Sequence, residues 1–127
     1  MIAADTSTWV AYLEGGTGED VQLLDRALKD HQAIMLPVVL SELLSDPGIS
    51  PAAAKILIEM PLIRIEPGCW QRTGFLRAKV LKMKRRARLA DSLIAQSCID
   101  LDIPLLTRDR DLQMFSEAAG VHLMNKH

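Results

Sequence analysis

The sequence has few of the residues on which many enzymes depend for their chemistry. Among its 127 residues there are only two cysteines and three histidines, and aromatic residues make up 4%. Cys69 and Cys98 lie far apart, without the CxxC spacing of a redox motif or the four-ligand pattern of a zinc site. No histidine has a partner at metal-ligand spacing. We therefore set aside thiol, zinc and histidine chemistry.

Long apolar runs are also absent. Hydrophobic residues make up 49% of the chain and charged residues 24%, which is a globular balance without a stretch that spans a membrane. The first residues lack the basic start and apolar run of a signal peptide, and an acidic residue follows at position 5. Because 127 residues is close to the commonest size of one domain, we expect a single cytoplasmic domain over residues 1–127, with no membrane association.

Acidic residues are missing from one segment, which we call the basic segment, from Pro67 to Ala90. All of its charged residues are positive, namely Arg72, Arg77, Lys79, Lys82, Lys84, Arg85, Arg86 and Arg88. The whole chain has 15 basic and 16 acidic residues, so the rest carries seven basic residues against all 16 acidic ones. A basic segment is thus attached to an acidic body.

Short apolar runs alternate along the chain with amphipathic stretches. The apolar runs, at 2–4, 33–36, 62–65, 105–106 and 121–124, are strand candidates, and the stretches between them have helical spacing. Thr17 and Asp20 resemble a capping box at the start of the second helix. Because parallel strands need crossover connections, the pattern predicts an α/β fold with helices on both faces of a parallel sheet of four or five short strands.

Four acidic residues are expected to converge at one edge of this sheet. Asp5 and Asp109 each follow a strand candidate directly, and the crevice beyond the carboxyl ends of parallel strands is where such sheets bind ligands. Glu42 shares a helix side with apolar neighbours, and Asp91 opens the helix that precedes the strand leading to Asp109. Taken singly, each of the three aspartates is better explained as a helix cap, and the glutamate is equally explained as a solvated rim residue.

Carboxylates brought together need a counter-charge. They repel each other by up to ~4 kcal/mol per close pair at a protein surface, so such a cluster persists only with a cation or with protons. Mg²⁺ prefers oxygen ligands and keeps several of its waters, which suits an acidic pocket serving a phosphate substrate, and Mn²⁺ is an alternative.

Each of the four acids lies in a short motif. In chain order the motifs are Asp5-Thr-Ser-x-Trp9, Ser41-Glu42-Leu43-Leu44, Ala90-Asp91-Ser-Leu-Ile-Ala95 and Leu106-Thr107-Arg-Asp109. Together they resemble PIN domains, and especially VapC-type toxins. The resemblance implies a PIN-like α/β/α sandwich and a Mg²⁺- or Mn²⁺-dependent endoribonuclease whose catalytic metal ligands are Asp5, Glu42, Asp91 and Asp109. It also implies the toxin of a type II toxin–antitoxin pair, with RNA as substrate, a small antitoxin as partner and a homodimeric state.

Neighbouring side chains have predicted supporting roles. Asp111 is a fifth candidate metal ligand, because Asp109-Arg-Asp111 offers two acids and leaves the register of this turn open. The hydroxyls of Thr6 and Ser7 are expected to orient the Asp5 carboxylate or a metal-bound water, with helix capping as an equal alternative. Thr107 is expected to support the metal ligands in the same way.

The basic segment is predicted to contact RNA phosphates. The leading candidates are Arg85, Arg86 and Arg88, which are closest in sequence to Asp91, and a solvated helix face is the alternative. Because aromatic residues are scarce and both tryptophans are interpreted as packing residues, recognition is expected to depend on RNA shape and backbone more than on stacked bases.

The predicted reaction is in-line attack on phosphorus by a metal-activated water, which leaves a 5′-phosphate. Two other functions are considered. A receiver-type phosphoacceptor domain needs an aspartate after its third strand, where this chain has Glu66-Pro67. A non-catalytic PIN-like RNA-binding module does not need the full set of acids.

Overall fold

A central parallel sheet with helices around it organises the protein. The computed structural model describes residues 1–125, so the last two residues of the predicted domain lie outside the described part. Its elements are β1 Ile2–Ala4, α1 Thr6–Leu13, α2 Glu19–Lys29, β2 Ala33–Ile34, α3 Pro37–Leu44, α4 Pro51–Ile58, α5 Cys69–Lys82, α6 Leu89–Leu101, β3 Leu105–Leu106 and α7 Arg110–Ala119.

The three strands run parallel in the order β2-β1-β3. Ala3 of the central strand is paired with Ile34 on one side and with Leu105 on the other. All three residues of β1 are buried, as expected for a strand covered on both faces. The predicted α/β class is confirmed. Because the strands are parallel, the residues that follow them lie at one edge of the sheet.

Two of the five strand candidates are reduced to single bridges among the described residues. Leu62 pairs with Met35 at one edge of the sheet, and Leu123 pairs with Leu105 at the other. The pairing near Leu62 consists of two hydrogen bonds, from the Met35 amide to the Pro61 carbonyl (2.7 Å) and from the Ile63 amide to the Met35 carbonyl (3.0 Å). Since Pro61 has no N–H and the chain soon turns towards α5, the ladder does not extend.

Most helix boundaries follow from local sequence signals. Pro37 lies in the first turn of α3, the Ser50 hydroxyl accepts a hydrogen bond from the Ala53 amide at the start of α4, and α7 ends at Gly120, whose φ is +85°. The predicted capping box of α2 is wrong, because Gly18 is the N-cap and makes no side-chain cap bond. Asp20 is instead buried and paired with a distant arginine.

The core has a large and a small part. The large part surrounds the sheet and includes the fully buried side chains of Trp9, Met35, Leu36 and Leu106. The smaller part lies where α5, α6 and α7 pack together, and it consists of Val80, Ala87, Ala95 and Phe115. This packing places the basic segment beside the start of α6. No helix within residues 1–125 is long and apolar enough to cross a membrane.

Candidate active site

Asp5 is the most firmly held acid at the edge of the sheet. It follows β1, is 3% exposed, and caps α1 by accepting a hydrogen bond from the Thr8 amide (3.1 Å). Its carboxylate also accepts hydrogen bonds from the hydroxyls of Ser7 (2.8 Å) and Thr107 (2.6 Å). The predicted contacts of Ser7 and Thr107 with the first acid are therefore present. Asp5 therefore caps α1 and also belongs to the candidate site.

The surroundings of Asp5 disfavour its charge on balance. Burial is the main cause and raises its pKa, while the hydrogen bonds from Thr107, Thr8 and Ser7 lower it. The nearby charge of Asp109 raises it further, and the net pKa of Asp5 is above its usual value. An adjacent cation would relieve this penalty.

Glu42 is on α3 and lies beside the residues that follow β1. We call the region of Asp5, Glu42, Asp91 and Asp109 the acidic hollow. Its residue is exposed, and its Oε1 accepts a hydrogen bond from the Thr6 hydroxyl (2.8 Å). Of the roles predicted for Thr6, orientation of Asp5 is not what the structure shows, because its hydroxyl donates to Glu42. The sequence alone does not predict this contact, because the contact depends on the packing of α1 against α3.

Asp91 lies close enough to the other three acids for their charges to act on it. It is a partly buried residue in the first turn of α6, whose N-cap is Arg88, so its interpretation as the helix cap is wrong. Burial raises the pKa of Asp91 to about 6, opposed by the charge of Arg88. The charges of the other acids contribute to the increase, namely Asp109, Asp5 and Glu42. Four acids from four separate chain segments therefore affect one another electrostatically.

Asp109 combines a structural role with a free oxygen. Its Oδ1 caps α7 by accepting hydrogen bonds from the amides of Asp111 (2.8 Å) and Leu112 (3.2 Å). Its own amide donates to the Thr107 hydroxyl (3.0 Å). Within the described residues Oδ2 accepts no hydrogen bond, so one carboxylate oxygen remains available to a ligand.

The donor set fits a hard divalent cation, although the ligands are not drawn together. Across residues 1–125, no three acidic, histidine or cysteine side chains form a ready-made metal-binding group. The available donors are carboxylate oxygens, which Mg²⁺ prefers. Asp91 accepts no side-chain hydrogen bond from any described residue, and its pKa is raised by burial and by the charges of the other acids. An open acidic hollow of this kind suits a cation that keeps several waters.

Two arginines bind the fifth candidate acid. Oδ2 of Asp111 accepts hydrogen bonds from Nη1 of Arg86 (3.1 Å) and Nη2 of Arg88 (3.0 Å). These are two of the three arginines that we predicted to contact RNA. The third, Arg85, makes no side-chain polar contact with the described residues. The structure thus places Asp111 against the basic segment, next to the hollow.

Other parts of the basic segment are structural. Arg72 binds both carboxylate oxygens of Asp100 (2.9 and 2.6 Å), and Arg77 donates to the Ala87 carbonyl (2.7 Å). Within the basic segment, the charged side chains without a polar partner among the described residues are Lys79, Lys82, Lys84 and Arg85. Trp70 is 64% exposed, so its interpretation as a packing residue is wrong, whereas Trp9 is 1% exposed as expected.

Sequence reasoning missed an ion pair, which we call the inner clamp and which consists of the buried Asp20 and the partly exposed Arg108, whose side chain is 34% exposed. Asp20 is 1% exposed, and its two oxygens accept hydrogen bonds from Nε and Nη2 of Arg108, both at 2.8 Å. The Thr8 hydroxyl also donates to it (2.9 Å). Asp20, Leu24 and Ala27 form one buried stripe on α2. That spacing was a signal that Asp20 faces the interior.

Comparisons with known proteins agree with the fold. A family model described as the PIN domain matches residues 2–120. FitAcB from Neisseria gonorrhoeae has a similar structure, with a TM-score of 0.71 and 19% identity over 98% of this chain and 97% of that one. VapBC-5 from Mycobacterium tuberculosis, a member of the VapBC family of toxin-antitoxin systems, has a TM-score of 0.70 and 21% identity over 98% of each chain.

A third similar structure is FitAB bound to an IR36 DNA fragment, with a TM-score of 0.74 and 14% identity over 100% of this chain and 99% of that one. No curated protein matches the chain significantly in sequence. At these identities the solved structures establish the fold.

Proposed function

The chain belongs to the PIN domain family, and from that premise we propose that it is a Mg²⁺-dependent endoribonuclease, the toxin of a type II toxin–antitoxin pair. PIN domains are generally nucleases. The observation that carries the proposal is the placement of the acids. Asp5 and Asp109 follow the adjacent parallel strands β1 and β3, and Thr107 links them by donating to Asp5 (2.6 Å). The charges of both aspartates and of Glu42 act on Asp91, and such a group of carboxylates favours a bound divalent cation.

In this proposal Asp5, Glu42, Asp91 and Asp109 hold Mg²⁺, with Mn²⁺ as a substitute. When bound, the ion supplies a water of lowered pKa and neutralises charge on the phosphate. The protein's contribution is to fix the acids before the substrate arrives. The orientation of Asp5 and Glu42 depends on hydrogen bonds that are already made in the free protein.

Those hydrogen bonds come from the three hydroxyls of the predicted site. Ser7 and Thr107 fix both oxygens of Asp5, while Thr6 fixes one oxygen of Glu42. Because each hydroxyl donates to a carboxylate, it favours the charged form that a cation requires. The site thereby avoids part of the reorganisation that would otherwise accompany catalysis.

The proposed substrate and partners follow from the basic segment and from the relatives. Three arginines that shortly precede Asp91 in the chain supply positive charge for RNA phosphates, namely Arg85, Arg86 and Arg88. VapBC-5 belongs to a toxin-antitoxin family, and we propose for this chain a small antitoxin, a homodimeric state and a cytoplasmic location. A receiver-type phosphoacceptor role has no support, since Glu66-Pro67 follows the bridge at Leu62 where that fold needs an aspartate.

RNA cleavage assays test the proposal. We expect endonucleolytic cleavage of RNA with Mg²⁺, products that carry a 5′-phosphate, and no cleavage in EDTA. Asp5→Asn and Asp91→Asn should each reduce the rate at least ~100-fold, as is typical when charge stabilisation at a reacting centre is removed. Asp102→Asn is the matched control, because Asp102 lies at the far end of α6, about 16 Å from Asp91 by helix rise.

Two outcomes would contradict the proposal. Full cleavage in EDTA would exclude a metal-dependent mechanism. RNA binding without cleavage in Mg²⁺ or Mn²⁺, by a protein that is folded according to circular dichroism, would favour the non-catalytic RNA-binding module.

A further inference from the structure

We propose that Arg86 and Arg88 form a subsite for an RNA phosphate and that the Asp111 carboxylate occupies this subsite in the free protein. We call these three residues the outer clamp. RNA enters by displacing Asp111, so the acid acts as an internal competitor of the substrate. The identification of the ligand as RNA rests on the proposed function.

The geometry of the outer clamp is that of an anion site with its anion in place. Both guanidinium groups donate to the same oxygen, Oδ2 of Asp111, at 3.1 and 3.0 Å. A phosphate oxygen is bound by paired arginines through the same charge-assisted hydrogen bonds. Each arginine uses one N–H group on Asp111 and has others that are unused among the described residues. A phosphate, with more acceptor oxygens than a carboxylate, engages more of them.

The outer clamp lies at the rim of the acidic hollow. Arg88 is the N-cap of α6, and its charge opposes the increase in the pKa of Asp91. On the other side, the Asp111 amide donates to Asp109 (2.8 Å). An RNA strand with one phosphate at the acids therefore has a neighbouring part of its backbone near these arginines.

The Asp111 contact is weak enough to exchange. The side chains of Arg86, Arg88 and Asp111 are 71%, 53% and 40% exposed. Exposed ion pairs contribute little because water and salt screen them. Asp111 therefore leaves at low free-energy cost, yet its charge opposes any phosphate that approaches the subsite.

RNA binding without cleavage tests this inference. We would measure fluorescence anisotropy of a labelled single-stranded RNA oligonucleotide in EDTA, at several salt concentrations. Asp111→Asn should bind RNA about two- to fivefold more tightly than the wild type, the range of one released exposed ion pair. The gain in affinity should shrink as the salt concentration rises, because salt screens the contact by which Asp111 competes with RNA. Glu117→Gln is the matched control, because it removes one exposed negative charge from the same helix.

A double-mutant cycle separates the clamp from a general charge effect. In a protein that carries Arg86→Gln and Arg88→Gln, Asp111→Asn should improve RNA binding no more than Glu117→Gln does. The inference is overturned if Asp111→Asn weakens binding, if it matches Glu117→Gln in the wild-type background, or if its benefit persists without the two arginines. Thermal melting of each variant confirms that it is folded.

The result is independent of the cleavage assay. If the cycle behaves as expected but no RNA is cut with Mg²⁺, the subsite stands and the nuclease proposal fails. If RNA is cut but Asp111→Asn has no specific effect on binding, the nuclease proposal stands and the internal competitor is wrong.

Discussion

Two arginine–aspartate contacts of the same chemistry differ in burial and in geometry. In the inner clamp, Asp20 is 1% exposed and Arg108 binds both of its oxygens. In the outer clamp, the Asp111 side chain is 40% exposed and one oxygen is shared by two arginines. A bidentate contact to a buried carboxylate is costly to break, whereas an exposed contact shared through one oxygen exchanges readily. Burial therefore separates a contact that builds the site from one that a substrate displaces.

The inner clamp fixes the loop that carries part of the site. The Arg108 side chain reaches Asp20 and the Thr17 carbonyl, while its amide donates to the Ser7 hydroxyl (3.2 Å). Thr107 and Asp109 are its immediate neighbours in the chain. Gly18 makes this approach possible, because a Cβ there would lie 2.8 Å from Oδ1 of Asp20 and 3.0 Å from Nη2 of Arg108. The loop is thereby held beside Asp5.

The largest effect is expected from breaking the inner clamp. Arg108→Ala leaves the buried Asp20 carboxylate without its counter-charge and should lower the free energy of unfolding by about 2–3 kcal/mol, less than for a fully buried pair because the Arg108 side chain is 34% exposed and Thr8 still donates to Asp20. Urea denaturation at pH 7 measures the change. Arg110→Ala is the control, because Arg110 is exposed and makes no side-chain ion pair with the described residues. A loss below ~1 kcal/mol for Arg108→Ala would show that the clamp is no stronger than a surface contact.

Asp91 contrasts with both clamps, because no arginine within residues 1–125 donates a hydrogen bond to its carboxylate. Asp91 has a pKa of about 6 in the folded protein against a usual value of 3.8. The folded state therefore holds its proton more tightly than the unfolded state, so the stability due to protonated Asp91 is present below pH ~4 and is lost as the pH rises through ~6. Asp91→Asn should accordingly raise the free energy of unfolding at pH 7 in EDTA, by about 1–2 kcal/mol after discounting for partial exposure.

Thermal and urea unfolding between pH 4 and pH 8 in EDTA would test this expectation. The difference between Asp91→Asn and the wild type should grow across pH 4–6 and then level off, while Asp102→Asn should show no such trend. A destabilised Asp91→Asn protein at pH 7 would mean that the carboxylate is satisfied in the metal-free fold.

The contact between Arg72 and Asp100 is intermediate. It is bidentate, and the Asp100 side chain is 8% exposed while that of Arg72 is 43% exposed. Gln96 also donates to Asp100 (2.8 Å), so the carboxylate keeps a partner when the arginine is removed. Arg72→Ala should therefore cost about 1 kcal/mol, as for a hydrogen bond to a charged group that is partly replaced. Lys82→Ala on the same helix is the control, and a loss equal to that of Arg108→Ala would remove the distinction based on exposure.

The sequence predicted the fold and the acids because both depend on local signals. Apolar runs predicted the strands, and Asp5 and Asp109 follow two of them directly, so the parallel topology fixed which edge they share. The extent of the ladder near Leu62 was not predictable, since it depends on where the chain turns after pairing with Met35. Similarly, the contact of Thr6 with Glu42 requires the packing of two helices that are separated in the sequence.

Long-range partners of charged side chains were the hardest feature to predict. The pattern on α2 shows that Asp20 faces the interior, but nothing local indicates that Arg108, 88 residues away, neutralises it. The basic segment likewise read as one patch, although its arginines divide between structural contacts and the outer clamp. The partners of these arginines depend on how the helices pack, and they cannot be predicted from the composition of the segment.

Breaking the outer clamp is expected to have the smallest effect on stability, and this small effect is the main difference from the inner clamp. Arg86→Gln and Arg88→Gln should each change the free energy of unfolding by less than ~1 kcal/mol, because they break only exposed, screened contacts. The same variants should lose RNA affinity and reduce its salt dependence, each by about 0.7 in slope. Urea denaturation and anisotropy on the same preparations compare the two properties. A loss of stability close to that of Arg108→Ala would show that the outer clamp is structural. If RNA displaces Asp111 from the two arginines, their contact with Asp111 must contribute little to the free energy of unfolding.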